Sequence, residues 1–558
     1  TNLRVGRSNR SGSTIFQIII LRTADFSATS TVARFVGLGH NHNPVTFCPK
    51  AAPVMTPLRF LAVFAGLLIG LSVVMLERGR AGLEISDIMV GTTPATLYQR
   101  LGAEDPGPMV VVAHGFAGSR PIMQAYSFNL AQAGYQVLAF DFQGHGRNPV
   151  PMSGDVTQID GTTARLIGET RKLIAKARDL SVGPIAVLGH SMATDVLIRA
   201  ALAEADAGTP LRAVVAISAF SQAITAQTPP RLLMISGAWE PGLRAASLAA
   251  LRAVQPGAKE NQTVTAPGVI RRAAVAPGVE HVGVLFSQPA IIEARAWLDR
   301  AFDRASTAPI YASGLWVLVL LASIVALFRP VVALLPGADL PPPQPLERPV
   351  TAARFWWAIL APAAVVPLVV PLLYTRFLPV LVADYLLVHL AVLGLAQLVI
   401  LRVWSGWDQF LADLKRAVVP CCTLVIWGIV AFGLALDRYA ASFWPTPERL
   451  AIIALLALGT VPFMVADSYA SGAGRGGIVR RIAVRASMMA SLAAAAMIDP
   501  DRLIFLIIVL PVLLLFFMTY GMMGRWVAPR FGALSAGLGL GLVLAWSLGV
   551  SFPLFDAG

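Results

Sequence analysis

Two hydrophobic patterns divide the chain. Between residues 81 and 305, short β-branched runs at 109–113, 137–140, 185–188, 214–217 and 232–235 are separated by helix-compatible stretches with interspersed charges. Parallel strands joined by crossover helices have this order, and it predicts a doubly wound, mostly parallel α/β sheet. On either side the pattern changes to continuous apolar runs. One covers 60–75 and stops at Glu77, Arg78 and Arg80; eight more cover about 310–328, 355–374, 377–401, 418–436, 450–467, 483–498, 503–520 and 531–553. Their lengths suit membrane crossing and predict a polytopic α-helical bundle behind an N-terminal anchor. The run at 483–498 carries Arg485 and few large apolar residues, so it is either a span or a re-entrant segment. No small-x-small cleavage site follows the first run, where Val73-Val74-Met75-Leu76 is bulky, so an uncleaved anchor is expected. Gly66 and Gly70 are expected to give that anchor a small-residue face for helix contact.

The expected organisation is a leader at 1–54, an anchor at 55–80, an α/β domain at 81–305 and a multi-pass helical domain of about eight spans at 306–558. The leader has no sustained period, and carries Arg4, Arg7, Arg10, Arg22, Arg34 and Lys50 against the single acid Asp25. It reads as sequence upstream of a natural start at Met55, or as an arginine-rich targeting segment. His40, His42 and Cys48 lie within it without a fourth ligand, a weak basis for a metal site.

Composition agrees with this division. Of 558 residues, 56% are hydrophobic and only 13% charged, against about 25% charged in ordinary soluble domains. A wholly soluble or disordered chain is excluded. The net charge of +13 comes from 44 basic and 31 acidic residues, and the leader supplies six basic minus one acidic, or +5 of it. Five of the basic residues are Lys, leaving 39 Arg, a bias that hints at a GC-rich bacterial genome. If the α/β domain lies outside, the inside loops hold Arg329, Arg348, Arg354, Arg402, Lys415, Arg416, Arg475, Arg480, Arg481, Arg485, Arg525 and Arg530, and the outside loops hold Arg376, Arg438, Arg449 and Arg502. Twelve against four predicts an extracytoplasmic domain on a bacterial inner membrane, periplasmic where an outer membrane exists. The basic excess then reports orientation, and nucleic acid drops out as a partner. Cys421 and Cys422 are adjacent and Cys48 is in the leader, so no disulfide framework is expected. Asp384 and His389 fall inside an apolar run, where ionisable groups are functional candidates, though an interfacial polar contact explains Asp384 equally well.

The strongest chemical signal is Gly189-His190-Ser191-Met192-Ala193, directly after a predicted strand and before a helix-compatible run at 194–204. Strand, sharp turn and helix are the context of a nucleophile elbow, with Ser191 as nucleophile and Ala193 where a second glycine is usual. His114-Gly115-Phe116-Ala117-Gly118-Ser119 follows the first predicted strand, where a glycine turn aims backbone N–H groups at a developing oxyanion. Phe116 and Met192 are the expected amide donors. His145, in the loop Asp141-Phe142-Gln143-Gly144-His145-Gly146-Arg147-Asn148, reads as structural.

The acid and base follow by elimination. Ser236-Gly237-Ala238-Trp239-Glu240 places Glu240 at the carboxyl end of a predicted strand, where site residues of open sheets gather. Of the seven histidines, His40 and His42 lie in the leader, His114, His145 and His190 belong to the motifs above, and His389 lies in an apolar run. His281 remains, in a loop before a helix-like segment at 289–302. The order Ser191, Glu240, His281 is nucleophile, acid, histidine. Glu280 is the rival acid, although neighbours in a loop rarely orient each other's rings.

These motifs resemble the α/β-hydrolase superfamily, specifically serine hydrolases of the monoacylglycerol-lipase-like and serine-aminopeptidase-like group. The resemblance covers 108–302 and rests on HGFAGS at 114–119, AGYQVLAFDFQGHGRN at 133–148, GHSMA at 189–193, SGAWE at 236–240 and His281. It implies cleavage or transfer at an ester, thioester or amide without a metal or organic cofactor. The chain departs from the pattern in using Glu rather than the commoner Asp, and in an interval at 219–231 too short for a helical cap. The site is therefore expected to be open, or closed by membrane helices. A membrane-integrated serine hydrolase acting on a small-molecule or lipid ester at the bilayer is the leading expectation. A serine peptidase and a catalytically idle sensing domain on a transport bundle are the alternatives.

Overall fold

A computed structural model describes residues 56–102, 107–155, 159–337, 351–373, 377–380, 382–405 and 408–556. The leader with His40, His42, Cys48 and Met55 lies outside the described residues, as do Arg348 and Arg376. Nine strands form one sheet: β1 Leu83–Val90, β2 Thr93–Arg100, β3 Met109–Ala113, β4 Gln136–Phe140, β5 Ile185–His190, β6 Ala213–Ile217, β7 Arg231–Gly237, β8 Thr263–Ala266 and β9 Val269–Ala276. Their order is β1-β2-β4-β3-β5-β6-β7-β9-β8, parallel from β4 to β9 and antiparallel at both edges. The five expected strands form the parallel centre together with β9. β1, β2, β8 and β9 are additional, and they make the sheet mixed rather than purely parallel.

The centre is parallel because helices cover both faces. Along β3, Met109, Val111 and Ala113 enter the core beneath α3 (Ala164–Leu180), α4 (Met192–Asp206) and α5 (Pro241–Arg252), preceded in the chain by α1 (Pro57–Arg78) and α2 (Gln124–Gln132). Val110 and Val112 enter the opposite core with Tyr126 and Phe128 of α2 and with Ile291 and Trp297 of α6 (Gln288–Ala301). Each fully buried Val side chain contributes about 1.5–3 kcal/mol, which suits strands that are apolar on both faces.

The helices that follow are α7 Gly314–Ala333, α8 Ala352–Leu373, α9 Ala383–Ser405, α10 Asp408–Ile426, α11 Gly433–Tyr439, α12 Pro447–Ala470, α13 Ile478–Ile498, α14 Pro500–Leu503, α15 Leu506–Phe531 and α16 Ala533–Ser551. Among the described residues nine helical stretches are long and apolar enough to cross a membrane: 57–78, 314–333, 352–373, 383–402, 416–439, 447–470, 478–498, 506–531 and 533–551. They leave large apolar side chains exposed, among them Leu318, Leu372, Leu395, Val418, Leu458 and Leu515. Water would not favour such a surface, and lipid tails would. At the centre, α16 lays Gly537 and Gly541 against the α12 backbone at Val465 and Val461, where a side chain at either glycine would collide.

One sequence expectation is corrected. Gly66 and Gly70 face open space; α1 meets α7 instead through Ala65, Ile69, Ser72 and Leu76. The segment at 483–498 belongs to a continuous 21-residue helix. Asp384 lies in the first turn of α9, which starts at Ala383. Its carboxylate accepts the Phe377 and Tyr385 N–H groups, at 3.0 and 2.8 Å, while His389, deeper in α9, lies between Tyr385 Oη and Ser491 Oγ.

The sheet and the bundle interlock. Glu77 at the end of α1 accepts two hydrogen bonds from Arg438, and Arg147 pairs with Asp437 at 2.6 Å. Buried Arg449 of α12 donates to the carbonyls of Gly549, Phe552 and Gly144 at 2.9, 2.7 and 2.8 Å. Residues 552–556 then run between the two parts. Met152 N donates to Leu554 O, Asp556 N to Met152 O and Phe555 N to Pro379 O, and the Phe555 side chain joins the sheet's core. All these contacts fall at the helix ends that alternate nine-span threading places on one side.

Candidate active site

Ser191 sits where β5 ends and α4 begins, with φ +53° and ψ −118°. That backbone is strained for a residue with a side chain, and it is held by a 2.9 Å bond from Ser191 N to Ile217 O. The flanking residues are small for a measurable reason. A Cβ on Gly189 would meet Ala193 Cβ at 3.0 Å and Leu197 Cδ1 at 2.5 Å, and one on Gly115 would meet Ser191 Cβ at 3.0 Å. Strand and helix leave room for one methyl between 189 and 193, and Ala193 supplies it.

The residues chosen by elimination meet here. His281 Nε2 lies 2.9 Å from Ser191 Oγ, and His281 Nδ1 lies 2.6 Å from Glu240 Oε1. An ionised Glu240 can only accept, so Nδ1 carries the proton and Nε2 is free to accept from Ser191. Glu240 Oε2 accepts Ser218 Oγ at 2.8 Å and Gly237 N at 2.6 Å. Burial alone would raise the Glu240 carboxyl, but the hydrogen bonds from His281, Gly237 and Ser218 outweigh it and hold its pKa below the ordinary value. Glu280, the rival, points elsewhere: its oxygens accept Val282 N and Gly283 N, both at 2.7 Å.

The supporting histidines have separate tasks. His190 Nε2–H donates to the His281 carbonyl at 2.9 Å, and burial, reinforced by His281, pushes its pKa down to about 4. His114 is fully buried; its Nδ1–H donates to Gly115 O at 2.8 Å and its Nε2 accepts Phe142 N–H at 3.1 Å. Burial lowers its pKa, so it stays neutral and ties the glycine turn to the end of β4. His145 is structural as expected, with Nδ1 on Gln143 O at 2.9 Å and its ring against those of Phe116 and His114.

Ser191, Phe116 and Met192 border one cleft of about 530 Å³, together with Met152, Ile159, Leu166, Val196, Phe220 and Phe505. Met192 is the first residue of α4, so its N–H lacks an intrahelical acceptor and can serve an oxyanion. Residues 219–230 form no helix. The wall that a cap would supply comes instead from Met152, Ile159, Thr162, Thr163 and Leu166 and from Phe505, which stands at the start of α15 with its ring 5.9 Å from that of Phe116. Sequence reasoning missed Ser218 and Phe505. Ser218 follows β6 directly, a position at the carboxyl end of a strand that could have marked it; nothing local marks Phe505.

A mostly parallel sheet with this topology is the α/β-hydrolase fold. Residues 104–282 match the family described as serine aminopeptidase, S33. No curated protein matches the chain. Among solved structures it is similar to a soluble variant of monoglyceride lipase from Saccharomyces cerevisiae, at 12% identity over 40% of this chain and 96% of that one, with a TM-score of 0.30. It is also similar to a membrane phospholipase A described as a bacterial virulence factor, at 16% identity over 43% and 96%, with a TM-score of 0.29, and to a hormone-sensitive lipase from a metagenome library, at 15% identity over 44% and 97%, with a TM-score of 0.30.

Proposed function

We propose that this chain is a membrane-integrated serine hydrolase that cleaves an acyl ester through an acyl-enzyme. The hydrogen-bonded chain Ser191–His281–Glu240 carries this reading. His281 Nε2 takes the Ser191 proton as Oγ bonds to the acyl carbon, then gives it to the leaving oxygen as the carbon–oxygen bond breaks. Water enters by the reverse sequence and releases the acid. Glu240 fixes the imidazole tautomer and stabilises its cation, and the Phe116 and Met192 amides face the oxyanion. An idle sensing domain would have no need of a strained serine aligned with both partners.

In this reading residues 55–80 anchor the chain, 81–305 form the hydrolase and 306–558 the multi-pass domain. The excess of arginine on the far loops supports a hydrolase domain outside the cytoplasm. Phe505 favours a substrate with an apolar acyl part met at the bilayer. Peptide amides are the second substrate class, favoured by the description of the matched family.

The test is labelling of the membrane fraction with a fluorophosphonate probe. Wild type is expected to label, and Ser191→Ala and His281→Ala to lose the signal. Labelling that survives in Ser191→Ala would sink the assignment.

A further inference from the structure

The cleft beside Ser191 is lined by apolar side chains together with Thr162, Thr163 and Gln222, and it holds one charged pair. On α4, Ser191, Asp195 and Arg199 recur at a spacing of four residues and so share one face of the helix. Arg199 Nε donates to Asp195 Oδ2 at 2.8 Å, and Asp195 Oδ1 accepts Ser221 Oγ at 2.6 Å. Both oxygens of Asp195 are thus engaged, and the guanidinium is fixed by its Nε edge alone. Among the described residues neither Nη of Arg199 has a hydrogen-bond partner. Arg199 lines the same cleft as Ser191, and its side chain is 22% exposed.

We infer that Arg199 is a specificity residue that binds an anionic group, a phosphate or a carboxylate, on the substrate of Ser191. This rests on the hydrolase reading above. A guanidinium held through Nε presents two Nη donors in a plane, which matches two oxygens of an oxyanion. Side chains on a helix lean toward its N-terminus, and the bond to Asp195 draws the guanidinium back to that level. Four residues at about 1.5 Å each put it roughly 6 Å along the helix axis from Ser191. The anion therefore lies a few bonds from the scissile carbonyl, about the reach of a glycerol-sized linker. The remaining walls, Phe116, Met192, Val196 and Phe505, receive the apolar acyl part. The substrate class is an acyl ester with an anionic head close to the bond that breaks.

The test uses the full chain in detergent micelles and pairs of esters that differ in one group. Acyl glycerol is compared with the same ester carrying a phosphate on the free end, and with an acyl hydroxy-acid carrying a carboxylate. Each is made with a butanoyl chain, soluble in water, and with an oleoyl chain, presented in micelles, which separates a soluble source from a lipid one. Wild type is expected to prefer an anionic ester over its neutral partner by at least about tenfold in kcat/KM, the scale of one charge-assisted bidentate contact. Arg199→Gln should bring that ratio close to one, and Arg199→Lys should retain part of it. Fluorophosphonate labelling of each variant reports an intact Ser191 site. A ratio near one in wild type, or an unchanged ratio in labelled Arg199→Gln, overturns the inference. If Arg199→Gln fails to fold, the wild-type and Arg199→Lys ratios decide. A wild type that neither labels nor cleaves any ester overturns the hydrolase reading itself, a different result from a labelled enzyme indifferent to charge.

Discussion

The ring of His190 donates from Nε2 to the backbone carbonyl of His281 at 2.9 Å, so the residue before the nucleophile holds the loop that carries the proposed base. His190→Phe keeps a ring in that place and removes the bond. We expect the rate of fluorophosphonate labelling to fall about tenfold, the scale of one lost hydrogen bond at a buried site. The loss should appear in the labelling rate constant and leave the final extent of labelling near wild type.

His190 also makes stability depend on pH. Its folded pKa of about 4 lies below the ordinary histidine value of 6.5. Between the two the unfolded chain binds a proton that the folded chain refuses, so stability falls as pH drops from 6.5 to 4. Buried His114 and His145 shift in the same direction. Thermal melting in detergent should show this acid-side decline, and His190→Phe should make it shallower without abolishing it.

Glu240 and Glu280 sit on either side of His281, yet only Glu240 contacts its ring. Glu240→Gln should lower kcat by about 10²–10⁴, since an amide cannot hold the tautomer or stabilise the imidazolium. Ser218→Ala should cost less, roughly tenfold, because Gly237 N still engages the carboxylate. Glu280→Gln should cost less than either. Steady-state hydrolysis of one short ester by the three variants checks the ranking, and a larger loss in Glu280→Gln than in Glu240→Gln would reverse the assignment.

The pairing of Gly189 with Ala193 predicts an asymmetry. Ala193→Gly only removes a methyl, and labelling should persist. Gly189→Val drives atoms into Ala193 and Leu197 and should cost about 1–3 kcal/mol of stability by overpacking, with loss of labelling. Melting temperature and labelling, measured on the same preparations, check both halves.

Arg449 predicts that hydrolase and bundle depend on one another. Arg449→Met would remove a donor from the carbonyls of Gly549, Phe552 and Gly144, the last of which keeps the Leu554 N–H, at about 1–3 kcal/mol for each group left unpaired. A lower melting temperature should come with slower labelling at Ser191, because Gly144 lies beside His145, whose ring packs on Phe116. A melting point unchanged from wild type would show that the clamp carries no weight.

Much of this was legible in the sequence because the chemistry is local. The elbow needs a strand, small residues and a serine within five positions, and the apolar runs marked the nine long apolar helices among the described residues through length alone. The strands toward the two edges of the sheet were harder. β9 carries Arg271 and Arg272 in its middle, and Arg271 is nonetheless buried, its guanidinium spent on the carbonyls of Ala250, Thr228 and Pro229. Charges of that kind hide a strand from any hydrophobic pattern. Phe505 could not be foreseen for another reason: it is one apolar residue in an apolar run, and its position beside Phe116 is set by the packing of helices far apart in sequence. Gly66 and Gly70 misled because small residues permit close helix contact without requiring it.

The placement of Phe555 bears on how the enzyme is made. The other buried members of its core cluster lie between Ala95 and Ala273, so the ribosome delivers the last piece roughly 280 residues after all nine strands are in hand. At about 5–20 residues per second that delay is on the order of tens of seconds. During it the nascent sheet waits with a gap beside Met152 while the long helices are threaded. The α/β core therefore closes only after the residues of the long helices have been made.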